Sequence, residues 1–334
     1  MKRKISILVI LLLLVSGLSY AKDRQGIVTF KINLNAAKGS KNAKLWLPYP
    51  LSDEHQRIEN LTIKGNFDNS SVYREQKSGA IYLFSEWQGV SDSKRLEMSF
   101  TVKAEERSVK DLRDTNDPVP EAVKKYLKSN RWIPTDGKIK ELANKITKDK
   151  KGILEKSRAV YAWVVENTHR DPGVKGCGLG IVEQMLIKRG GKCVDISSIY
   201  IALARAAGVP AREVFGIRLG RKAEQDITGS YHCWAEFFLP GTGWIPVDPA
   251  DVRKIMLAEN LSLKEAKKYR EYYFGAVDEF RITLEKSGRG LKLLPLQESG
   301  PLNYLMYPYA EIDGKPLDYL DPKSFSYTVT FKAI

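Results

Sequence analysis

Three residue types in this chain have the chemistry of a nucleophile, a base and an orienting acid, and their spacing lets them meet. Cys193 stands in the run Gly190-Gly191-Lys192-Cys193-Val194-Asp195. From Val194 to Ala207, the residues Ile196, Ile199, Tyr200, Leu203, Ala206 and Ala207 recur at three- and four-residue spacings, which predicts a helix. Gly208 and Pro210 end it. The two glycines are expected to admit a left-handed or otherwise tight approach to that helix. Cys193 then falls in the first turn, where unpaired N–H groups and the helix dipole favour an anion. Such a setting lowers a thiol pKa from its usual value of about 8.5. The thiolate is the form that attacks carbonyl carbon, and the same N–H groups suit the oxyanion of a tetrahedral intermediate. Without a base, a lone buried cysteine is inert packing, so the reading depends on its partners.

The chain has three histidines, His55, His169 and His232. His232 lies in Ser230-Tyr231-His232-Cys233-Trp234-Ala235-Glu236-Phe237-Phe238-Leu239, an aromatic-rich strand that ends at the turn signal Pro240-Gly241-Thr242-Gly243. Trp244-Ile245-Pro246-Val247-Asp248-Pro249 reads as its hairpin partner, an edge or irregular strand because of its prolines. His232 and Asp248 are each eight residues from Pro240. A hairpin centred there, with an odd loop, sets them directly opposite on one face. Cys233 must then point away from His232, which makes it a poor member of the site and also argues against a metal pair formed by His232 and Cys233. His232 would take the thiol proton and later protonate the leaving amine. Asp248 would orient the imidazole, with Asp251 as the alternative and Asp195 as a first-turn carboxylate suiting the dipole. His55 reads as a solvated loop residue, and His169 as a cap at a helix end.

The order Gly-Lys-Cys-Val-Asp, Ala-Arg-Ala-Ala-Gly-Val-Pro-Ala-Arg, His-Cys-Trp-Ala-Glu-Phe and Gly-Trp-Ile-Pro-Val-Asp-Pro, within about residues 155 to 255, resembles the transglutaminase-like superfamily. The resemblance implies a papain-like core, its nucleophile helix packed on a sheet that carries the histidine and the aspartate. It implies Cys193 as nucleophile, His232 as base and Asp248 as orienter. The family holds cross-linkers, deamidases, amidases, proteases and inactive members, so the reaction stays open. No pattern for the calcium sites of the animal cross-linking enzymes is present.

Other elements must position this site. Residues 1 to 21 read as a secretory signal: Lys2, Arg3 and Lys4, a short apolar run, then Ser19-Tyr20-Ala21. The apolar run is too short for a good membrane span. Its removal takes the formal charge from +14 to +11, because three basic and no acidic residues leave. That charge suits contact with anionic cell-envelope polymers. The dispersed basic residues and the lack of a reading motif speak against nucleic acid. Residues 22 to 105 alternate as about six strands, a small β-sandwich. Residues 106 to 137 are a Pro-punctuated connector, residues 138 to 255 the core, and residues 256 to 334 an extension expected to extend or cover the catalytic sheet. Its Tyr304-Tyr307-Tyr309 cluster is expected to be buried. Three cysteines in an oxidising compartment leave one free; if that is Cys193, Cys177 and Cys233 could pair.

The sequence thus points to an α+β protein and to an exported cysteine acyl-transfer enzyme acting on protein or peptide amides. No metal or organic cofactor is indicated. The competing reading is a non-catalytic envelope-binding module with the same fold.

Overall fold

The computed structural model describes residues 22–34, 39–89, 93–286 and 288–334. The signal assigned to residues 1–21 lies outside the described residues. Among them, no helix is long and apolar enough to cross a membrane.

Six strands come first: β1 (Asp23–Leu34), β2 (Asn42–Pro48), β3 (Gln56–Gly65), β4 (Asn69–Arg74), β5 (Ile81–Gln88) and β6 (Lys94–Glu105). Alternation decides their faces. In β1, Val28, Phe30, Ile32 and Leu34 are buried while the residues between them are not. Helices α1 (Gly137–Ile146), α2 (Gly152–Asn167), α3 (Val182–Lys188) and α4 (Cys193–Ala206) follow. Then come β7 (Ala211–Arg218), β8 (Tyr231–Leu239), β9 (Gly243–Val247), α5 (Pro249–Ala258), β10 (Arg281–Glu285), β11 (Tyr309–Ile312) and β12 (Tyr327–Ala333).

The sheet that carries His232 runs β9-β8-β7-β10, all antiparallel. Helix α4 lies against β7 and β8, and α1, α2, α3 and α5 pack around it. Almost every residue of α4 is therefore buried, which explains its apolar character beyond a single stripe. Gly208 closes it at φ +85°, the left-handed conformation that only glycine adopts without cost.

The C-terminal chain does extend the sheet, through β10, and it also joins the N-terminal strands. One five-stranded sheet runs Glu224–Asp226, β12, β1, β6, β3, and the other Lys315–Pro316, β11, β2, β5, β4. Tyr304, Tyr307 and Tyr309 are buried. The open edge of β10 meets the N-terminal strands through polar groups: Gln56 donates to the Thr283 carbonyl at 2.9 Å and accepts from the Thr283 N–H at 2.7 Å.

Candidate active site

The two glycines before Cys193 serve space, not handedness. Gly190–Gly191 pairs in parallel with His169–Arg170, and the left-handed residue is Arg189, at φ 55°. A Cβ on Gly190 would sit 2.4 Å from His169 Nε2, and one on Gly191 2.5 Å from Asp195 Cβ. His169 accordingly packs over the run leading to Cys193 and caps no helix. Asp195 fastens the first turn of α4. Its oxygens accept from the Gly180 N–H, in a neighbouring loop, at 2.8 Å and from the N–H of Lys192, the N-cap of α4, at 3.0 Å. The Val194 N–H goes to the Cys177 carbonyl at 3.0 Å, so two of the donors offered for an oxyanion are already committed.

His232 and Asp248 meet, by a register other than the one expected. The β8–β9 hairpin is centred on Gly241, with Leu239 facing Gly243 and Ala235 facing Val247. Asp248 is therefore displaced by two residues from the position opposite His232. A shift of two keeps both side chains on one face and makes them diagonal neighbours. Asp248 has also left the strand: it caps α5, its Oδ1 accepting from the Asp251 N–H at 2.8 Å. That turn aims Oδ2 at His232 Nε2, at 2.7 Å. The imidazole charge lowers the pKa of the buried Cys193 thiol. With Nε2 held by the carboxylate, Nδ1 is the nitrogen left for the thiol.

Cys233 is not removed from the site by strand alternation. Helix α4 packs on the face that Cys233 occupies, and the Cys233 thiol donates to Ser197 of that helix at 3.9 Å. Cys177 donates its thiol proton to the Tyr231 carbonyl at 3.3 Å, and its own carbonyl accepts the Val194 N–H beside Cys193. All three thiols are free and buried, so Cys177 and Cys233 are not paired. Gln184, an oxyanion-donor type, lies on the exposed side of α3.

Electrostatics separate the three sulfurs. Burial works to raise the Cys193 pKa, but hydrogen bonds from Cys177, Cys233 and His232, with the imidazole charge, carry it well below the usual thiol value. Hydrogen bonding to Cys193 and burial push Cys177 up, and burial and the same neighbour push Cys233 up. For His232, burial and the Arg218 guanidinium oppose protonation, while Asp248 and Asp251 outweigh them and raise its pKa. The arrangement therefore favours thiolate beside imidazolium.

Sequence reading missed the ions behind Asp248. Arg281, on β10, is fully buried. One of its Nη atoms donates to Asp248 Oδ2; the other donates to Asp251 at 2.6 Å and to Asp278 at 3.1 Å. Arg218 donates to Asp251 at 2.5 Å. Asp251, the alternative orienter, is 3.7 Å from His232 Nε2, farther than Asp248. Ligand atoms of His232, Asp248 and Asp251 lie within 4.8 Å of one another, a spacing open to a metal ion. Two guanidiniums already hold both carboxylates, however, and their charge opposes a second cation there. The Asp278-Glu279-Phe280-Arg281 run was the available signal, but an arginine in an alternating strand reads as solvent-facing.

The transglutaminase-like superfamily profile matches residues 140–249, which takes in the helix, the hairpin and Asp248. A relative matches over far more of the chain: an uncharacterized protein of Haemophilus influenzae is 36% identical, covering 90% of this chain and 89% of that protein. The chain belongs to the transglutaminase-like superfamily. A stretch of 78 residues is 33% identical to the protein-glutamine gamma-glutamyltransferase of Pseudomonas aeruginosa, 21% of this chain and 11% of that protein. Among solved structures, a candidate cysteine protease from Cytophaga hutchinsonii superimposes with a TM-score of 0.54 at 15% identity, covering 93% of this chain and 99% of that one. That likeness is one of fold, papain-like and transglutaminase-like.

Proposed function

We propose that this protein is an exported cysteine acyl-transfer enzyme acting on amide bonds of proteins or peptides, with Cys193 as nucleophile, His232 as acid and base, and Asp248 as orienter. The observation that carries it is the buried His232 Nε2–Asp248 Oδ2 hydrogen bond of 2.7 Å, together with a buried Cys193 at a helix start whose thiol pKa the His232 charge helps to lower. The thiolate attacks the amide carbon, a C–S bond forms, and the carbonyl electrons move to oxygen. The Cys193 N–H is the first-turn donor we assign to that oxyanion. As the C–N bond breaks, the Nδ1 proton of the imidazolium passes to the departing ammonia or amine, leaving a thioester. Neutral His232 then takes a proton from an amine or a water; the new C–N or C–O bond forms and the thiolate leaves. An amine makes the reaction transamidation; water makes it hydrolysis.

Export rests on the pattern of residues 1–21, and a formal charge of +11 after its removal suits anionic envelope polymers as neighbours (+14 less three basic residues). The N-terminal strands would serve as a packing or substrate-presenting module. The test is purified protein with a glutamine-containing protein, with and without a primary amine. Ammonia release with amine incorporation identifies a transglutaminase, ammonia alone a deamidase, and backbone cleavage a protease. No product from any of these, with Cys193 no more reactive than in the unfolded chain, refutes the proposal in favour of a binding module.

A further inference from the structure

The carboxylate that orients His232 is itself gripped from a strand outside the segment matching the family profile. Asp248 Oδ2 accepts from two donors, His232 Nε2 and Arg281. Arg281 reaches it from β10, which follows the matched residues 140–249. The guanidinium is pinned on every side. It donates to Asp251 at 2.6 Å and to Asp278 at 3.2 and 3.1 Å, and it lies over the rings of Tyr273, at 5.2 Å, and Trp234, at 5.9 Å. Trp234 also stacks on His232, with centroids 6.5 Å apart. A buried arginine bound in this way cannot rotate without leaving carboxylates uncompensated, an arrangement that is strongly destabilising. Its planar fork fixes two acceptors at once, which a lysine cannot do.

The charges reveal a second consequence. Asp248, Asp251 and Asp278 face Arg218 and Arg281, with every contact 3.9 Å or less. Three carboxylates and two guanidiniums make these contacts, and Lys254, on α5, acts on Asp251 and Cys193 through space. The His232 imidazole is the titratable group beside Asp248. Without Arg281, two carboxylates would compete for one imidazole, since Asp251 is already 3.7 Å from Nε2.

Resting on the triad reading above, we propose that Arg281 is a positioning residue of the active site: it holds Asp248 against His232, keeps Asp251 away, and makes the C-terminal segment part of the catalytic apparatus. The chain has three histidines, so NMR of histidine-labelled protein resolves His232 directly, without any substrate. Two variants separate orientation from charge. Arg281→Lys keeps the charge and loses the fork. Arg281→Met with Asp278→Asn removes one charge of each sign, leaving the cluster balance unchanged. In both, the His232 titration midpoint is expected to shift by about one unit or more, and Cys193 alkylation below pH 7 to slow about tenfold as the ring loses its single orientation. The unmodified protein should show an exchange-protected His232 Nε2 proton with a nuclear Overhauser contact to the Arg281 guanidinium protons; this measurement does not depend on either variant folding. A lower melting temperature with unchanged His232 titration and Cys193 reactivity would overturn the proposal and leave Arg281 a structural ion, as would absence of that contact. His232 responding to Arg281 while Cys193 reactivity ignores His232→Ala would keep the clamp and reject the nucleophile reading instead.

Discussion

Replacing Asp248 with asparagine tests the chain of contacts with minimal change of shape. In the folded protein Asp248 is wholly buried and its Oδ2 lies 2.7 Å from His232 Nε2. A hydrogen bond to a charged group contributes about 1.5–3 kcal/mol. At about 1.36 kcal/mol per pKa unit, its loss lowers the His232 midpoint by about one to two units. The amide can also turn its NH2 toward Nε2, which then must accept; the ring proton moves to Nδ1 and faces the sulfur, so the ring cannot take the thiol proton. Both effects have the same sign. At pH 6, where the paired thiolate should dominate in the unmodified protein, the thiolate fraction of Asp248→Asn falls about 10- to 100-fold. The assay is the rate of iodoacetamide modification of Cys193 from pH 5 to 9, read by peptide mass spectrometry. Cys177 and Cys233, whose pKa values are raised, are internal controls in the same digest. The unmodified protein should react well below the ordinary thiol range, because the thiolate forms at the lowered Cys193 pKa and persists at every higher pH. Superimposable rate–pH curves for the two proteins would refute the reasoning.

Three further outcomes follow from other parts of the molecule. Gly178 has φ +91°, and a Cβ there would stand 1.9 Å from Asp195 Oδ2; Gly178→Ala should cost about 1–3 kcal/mol in a denaturation curve and slow Cys193 alkylation, because Asp195 anchors that first turn. Ser157 and Tyr200 share a buried hydroxyl contact of 2.7 Å. Ser157→Ala strands the phenol and should cost about 1–3 kcal/mol, part of which Tyr200→Phe in the same chain should restore. Asp251 is opposed by burial but held well below the usual carboxylate pKa by Arg218 and Arg281. Its contribution to stability is therefore present above its unfolded pKa of about 3.9 and is lost as pH falls below it toward the folded value. Urea midpoints measured from pH 6 to 3 should fall less steeply in Asp251→Asn than in the unmodified protein; an equal slope would show that Asp251 is not a source of the acid sensitivity.

Much of the local structure was legible in the residues alone, because short-range rules decide it. The helix carrying Cys193 is marked by apolar spacing and by Gly208. The strand carrying His232 is marked by its aromatics and by the Pro-Gly-Thr-Gly turn. Alternation in residues 22–105 marks the N-terminal strands. Helix α5 was not foreseen: Pro249 reads as an end to a strand, yet it is also a favoured first residue of a helix once Asp248 caps it. The hairpin arithmetic had the right parity and the wrong centre. Turn geometry, which no count of residues contains, placed the centre at Gly241.

Residue types and order along the chain were enough to nominate Cys193, His232 and Asp248, because a nucleophile, a base and an acid must be present whatever the fold does with them. Tertiary structure alone decided that Cys177 and Cys233 both stay as free buried thiols and that β10 returns to bring Arg281 onto Asp248. The physical reason is distance along the chain. Arg281 meets Asp248 across 33 residues, and such a contact follows from how strands are ordered in the sheet, which local propensity does not encode.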